Sequence, residues 1–138
     1  MTQSLYSLLG FVVWTMLVVG VGIGFPRVSA ILGRRAAPKS FPADVPHGED
    51  RYRRTMRAHA NCVENLPIFA VLVLIGRSIS LESPTFETLA LLVLVARMAQ
   101  TTVHVASGSN RAVIVRFVFF SAQFSCFAAM AAILVLSP

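Results

Sequence analysis

Charge is what this chain has least of. Of its 138 residues only 13% are charged and 56% are hydrophobic, and the mean hydropathy is +0.72, a balance that excludes an ordinary water-soluble domain. Cysteine is nearly absent too: Cys62 and Cys126 both fall inside apolar stretches, so no disulfide framework is implied. The three histidines, His47, His59 and His104, are too scattered to ligate a metal. No Ser/His/Asp set or nucleotide motif occurs. The glycine-rich GVGIGFP, Gly20 to Pro26, follows no strand and opens no helix, which excludes a phosphate loop.

What is present is long apolar sequence. Residues 1–26 carry no charge, and about 20 apolar residues cross a bilayer core, so the segment from about 5 to 25 is read as a first span. It lacks the basic leader and small-x-small site of a signal peptide. Three further spans are predicted at about 58–77, 84–106 and 113–136. Together they make an all-α integral membrane protein, a single four-transmembrane-helix domain over residues 1–138. The glycines of the first span and the alanines Ala128, Ala129, Ala131 and Ala132 of the last permit close helix contact or bending. Ser83-Pro84 reads as an N-cap with proline at the first helical position, and Pro67 predicts a mild kink. The stretch Arg34 to Asp50 holds three prolines and reads as an irregular loop, with helix resuming near Asp50.

Eight of the basic residues, from Arg27 to Arg57, lie between the first two spans. Basic short loops stay cytoplasmic, which puts loop 27–56 in the cytoplasm, in a bacterial inner membrane or the endoplasmic reticulum, and both termini on the non-cytoplasmic side. The net charge of +6 is then a topology signal with some attraction for anionic lipids, and no nucleic acid is implied.

The second span opens RAHANCVENLPIF. Only 12 uncharged residues separate Glu64 from Arg77, too few to cross the core, so Glu64 lies within the membrane's thickness. At ~1.5 Å per residue, Glu64 lies roughly 20 Å from the Arg77 end and Arg97 roughly 15 Å from Glu87 at the same end. Buried membrane charges pair, and a Glu64–Arg97 ion pair is expected. Arg57, Asn61 and Glu64 share one helical face, and Arg97, Thr101 and His104 share another with Gln100 at its edge. Two polar faces at one depth imply a polar pocket between helices. Arg116 marks the start of the fourth span, with Arg111 just before it in the loop. Guanidiniums bind carboxylates bidentately and a carboxylate suits an ammonium. A ligand with two carboxylates and one amine, such as glutathione, fits that inventory, and an arginine near its sulfur favours the thiolate.

RAHANCVENLPIF resembles the second-helix signature of the MAPEG proteins, the membrane-associated proteins of eicosanoid and glutathione metabolism. GRRAAP (Gly33 to Pro38) and ARMAQTTVH (Ala96 to His104) extend the likeness. The resemblance implies a homotrimer with glutathione as co-substrate held between subunits. It implies that Arg57, Asn61 and Glu64 bind glutathione, that His59 lies close, that Arg97 supports the site and that Arg34 or Arg35 reaches the tripeptide. It also implies a thiolate-stabilising arginine at the fourth helix, Arg116 or Arg111; Arg116 is favoured because a helix start is more rigid than a loop. Gln100 and His104 stand where eicosanoid-making members often carry tyrosine, so the implied activity is a glutathione transferase or peroxidase acting on lipophilic electrophiles or lipid hydroperoxides. The alternatives are a non-catalytic lipid-binding member and a small four-span transporter using Glu64.

Overall fold

A computed structural model describes residues 1–42, 45 and 47–137; Pro46, one of the three loop prolines, lies outside them. Four helices are long and apolar enough to cross a membrane: α1 (Gln3–Leu32), α2 (Asp50–Ser78), α3 (Pro84–Ala106) and α4 (Asn110–Leu136). No strand occurs among the described residues. Side-chain oxygens fix three of the starts. Thr2 accepts from the Leu5 amide, Ser83 from Phe86 and Ser109 from Ala112, each satisfying one of the free N–H groups of a first turn. Ser83 and Pro84 thus start α3 as expected, and α2 begins at Asp50 and passes through Pro67 as one helix.

α1 runs seven residues beyond its expected end at Phe25. The reason lies in the glycines: Gly20–Gly24 form a π turn, in which the Phe25 amide donates to the Gly20 carbonyl. This wider winding comes just before Pro26, which lacks a donor and opens the following turn at a tolerated position, so Phe25–Leu32 continues as α-helix. Arg34, with φ of 54°, then turns the chain out of the helix.

Packing follows the small residues. α3 is central and contacts the other three helices; its antiparallel contact with α4 is the most extensive, and α1 packs on α2 and α3. A Cβ on Gly10 would stand 2.9 Å from Leu94 of α3, one on Gly22 would stand 2.5 Å from the Thr55 methyl of α2, and one on Gly76 would stand 3.0 Å from the Phe86 ring. Close approach of backbones is how membrane helices gain contact without a hydrophobic drive. Between them lies a core of Phe11, Cys62, Phe69, Val73, Phe86, Ala90, Val93, Phe127 and Met130. Phe69 links it across three helices, its ring centroid 5.7 Å from Phe11 and 6.1 Å from Phe127. At the end opposite the long loop, Glu87 in the first turn of α3 accepts from both the amide and the hydroxyl of Ser4 in the first turn of α1. Large apolar side chains such as Phe117, Phe124 and Leu92 face outward, as lipid-exposed surfaces require.

Candidate functional site

The buried stripe of α2 is Thr55, Ala58, Cys62, Phe69, Val73 and Gly76, spaced by three, four and seven. It turns Cys62 onto α3, with its sulfur 3.5 Å from the Thr101 hydroxyl. Arg57 and Asn61 immediately precede Ala58 and Cys62, so the polar stripe lies about 100° round the helix. Arg57 and Glu64 are accordingly exposed on the single chain and Asn61 is half-buried.

Arg97 is 1% exposed and lies over the Phe11 ring, its guanidinium carbon 5.7 Å from the centroid. The expected ion pair with Glu64 is not formed. Among the described residues the one ion pair is Arg53–Asp50 at the start of α2. The depths of Glu64 and Arg97 were matched along the helix axes, but Glu64 is two residues from the α3-facing Cys62, about 200° round α2, and its exposed carboxylate lies outside ion-pair distance. Arg97 is left with Nε and Nη2 buried and without a hydrogen-bond partner. These two donors form one side of the guanidinium fork, the side that takes a carboxylate in two parallel bonds.

Near the other end of the polar region the helices are tied by hydrogen bonds. Arg116, Arg57 and Arg54 all lie within electrostatic range of His104. Gln100 Nε2 donates to the Arg116 carbonyl at 3.3 Å, tying α3 to α4, while its Oε1 is buried and unpartnered. Arg54 was not singled out from the sequence; its Nε donates to the Val105 carbonyl in the last turn of α3 at 3.4 Å. Its signal was its place three residues before Arg57, on an adjacent part of the same side. Hydrogen bonds thus tie Arg54 of α2 to the last turn of α3 and Gln100 of α3 to the Arg116 backbone of α4.

Other candidates stand apart. His59 is half-buried about 200° from Arg57 on α2, away from the stripe. Arg34 and Arg35 are exposed beyond α1, held through backbone bonds to Ile31 and Ala30. Arg111 is exposed, and it sits in the first turn of α4, which begins three residues earlier than expected. Both arginines are therefore helical, and the contrast of loop with helix no longer separates them. What does is that Arg116 is half-buried and its carbonyl accepts from Gln100 of α3.

Four helices long and apolar enough to cross a membrane define a multi-pass membrane protein. The model of the MAPEG family matches residues 5–136, almost the whole chain, and the chain belongs to that family. At family level its function is the membrane-bound chemistry of glutathione and eicosanoids. No curated protein matches the chain.

Proposed function

We propose that the protein is a glutathione transferase, with peroxidase activity as a variant of the same chemistry, acting on lipophilic electrophiles or lipid hydroperoxides. The observation that carries this reading is the buried Arg97, whose Nε and Nη2 lack a hydrogen-bond partner, on a bundle where Arg54 bonds the Val105 carbonyl of α3 and Gln100 bonds the Arg116 carbonyl of α4. Glutathione brings two carboxylates and one ammonium. Arg57 and the free edge of Arg97 suit its carboxylates, Asn61 its amides and Glu64 its ammonium. Arg116 holds the sulfur as thiolate, the form that attacks. In conjugation the thiolate forms a C–S bond as the leaving group departs with its electron pair, or as a double bond takes up the pair and a proton. In peroxide reduction two glutathiones supply two electrons, giving the disulfide, an alcohol and water. The protein's contribution is proximity and charge stabilisation. Arg57 and Glu64 are exposed on one chain, which supports a homotrimer in which a neighbour closes the site and brings its Arg34 or Arg35.

A second reading is a small transporter with Glu64 as a cation site, favoured by the absence of an ion pair at Glu64 among the described residues. The guanidiniums on the same side of the bundle repel a cation, and for that reason the enzyme reading is preferred. Calorimetric titration of the purified protein with glutathione separates them. Wild type binds, and Arg57→Ala and Glu64→Ala bind at least tenfold more weakly, about 1.4 kcal/mol. No heat of binding at millimolar glutathione overturns the enzyme reading.

A further inference from the structure

A cavity of about 740 Å³, open to the surface, lies between α1, α2 and α3 on another side of α2 than Arg57. The separation follows from helical geometry: Thr55, which lines the cavity, is two residues and about 200° from Arg57. The volume falls within the ~300–1,000 Å³ of ligand pockets. Its walls are apolar, with Trp14, Leu17, Val18 and Val21 of α1 facing Val105 of α3, and the π turn of α1 supplies part of them. Its mouth is of another character: Glu49 and Arg51, at the start of α2, line it together. Neither is in an ion pair with another described residue. Nothing in the proposed glutathione chemistry uses this cavity.

The mouth lies where α1 ends, α2 begins and α3 ends, which is where a spanning bundle meets the head-group layer, and the apolar interior lies at acyl-chain depth. A ligand must then be an amphiphile oriented as a bilayer lipid is. The two signs at the mouth narrow the head group. A bare carboxylate suits Arg51 and is repelled by Glu49, whereas a phosphate with an ammonium satisfies both. Arg51 takes the phosphate through its planar fork, and Glu49 takes the ammonium, which must carry N–H donors. A quaternary ammonium has none. We infer that this cavity is a binding site for phosphatidylethanolamine of the surrounding bilayer, one acyl chain lying against Trp14 and the head group held between Arg51 and Glu49.

Trp14 is the chain's single tryptophan, so its fluorescence reports on the cavity directly. The protein is reconstituted in phosphatidylcholine bilayers containing an increasing mole fraction of lipid with brominated acyl chains, which quench tryptophan on contact. In one arm the brominated lipid is phosphatidylethanolamine and in the other phosphatidylcholine. The brominated phosphatidylethanolamine quenches at about tenfold lower mole fraction than brominated phosphatidylcholine, the factor expected for about 1.4 kcal/mol of head-group recognition. Glu49→Gln with Arg51→Gln, exposed substitutions outside the glutathione face, abolishes the preference. Val105→Phe, which fills the cavity, lowers quenching by both lipids. Equal quenching in the two arms of wild type overturns the inference, as does a preference that survives the paired substitution. If a second copy of the chain occupies the cavity, Val105→Phe leaves quenching unchanged, and the inference also fails. None of these readouts depends on glutathione binding.

Discussion

Arg97→Met tests whether the buried guanidinium is a site or a strut. Arg97 is 1% exposed with two donors unpartnered, and each buried unsatisfied donor costs about 1–3 kcal/mol. Methionine fills similar space with no polar group, and replacing buried charge by well-packed apolar side chains is often neutral or stabilising by about 1–4 kcal/mol. The bundle should therefore resist heat or dodecyl sulfate as well as wild type or better. Glutathione binding should weaken instead. If the free edge receives a carboxylate, losing charge-assisted bonds of about 1.5–3 kcal/mol lowers affinity roughly 10- to 150-fold. The assay pairs a detergent-unfolding titration followed by circular dichroism with calorimetric glutathione binding on the same preparations. A large loss of stability would refute the reasoning, because it would mean that Arg97 is paired in the assembled protein and ties helices together. Arg97→Lys separates charge from geometry: it retains the charge and loses the planar fork, so it should bind between wild type and the methionine variant.

Other perturbations follow from the same contacts. Arg116→Ala should abolish the thiolate absorbance that appears when glutathione is added, and Arg111→Ala should preserve it; the reverse result would transfer the role to Arg111. Gly22→Ala sets a methyl 2.5 Å from the Thr55 methyl and should destabilise by about 1–3 kcal/mol in the unfolding titration, with recovery when Thr55→Ser removes the opposing carbon. Phe69→Ala removes the ring that joins α1, α2 and α4 and should cost about 3–5 kcal/mol. Cys62, fully buried, should resist a membrane-permeant maleimide until the bundle is unfolded.

The helices were legible because bilayer thickness and hydropathy both act on the sequence directly. Their ends were less so: α1 outran its expected limit because a π turn readies the chain for Pro26, and α4 started early because Ser109 caps it. The polar stripe Arg57, Asn61 and Glu64 emerged from spacing alone, but its turning outward, with Arg57 and Glu64 exposed, did not. The Glu64–Arg97 pair failed for an identifiable reason. Residue counts fix height in the membrane and leave rotation undetermined, and rotation is set by which face of α2 carries Cys62, Phe69 and Val73 into the core. Reading that seam first would have turned Glu64 outward. The bond from Gln100 to the Arg116 carbonyl was not legible, since it depends on how α3 and α4 pair across their short connection.

The two hydrogen bonds that Ser4 donates to Glu87 bear on a difficulty common to membrane bundles. α1 and α3 run in the same direction side by side, so the positive ends of their two backbone dipoles, roughly half a unit charge each, meet at one end of the molecule and repel. Glu87 belongs to the first turn of α3 and accepts the amide of the first turn of α1. One carboxylate thus serves as counter-charge to both dipoles, and its protonation or replacement would loosen the end of the bundle farthest from the proposed chemistry.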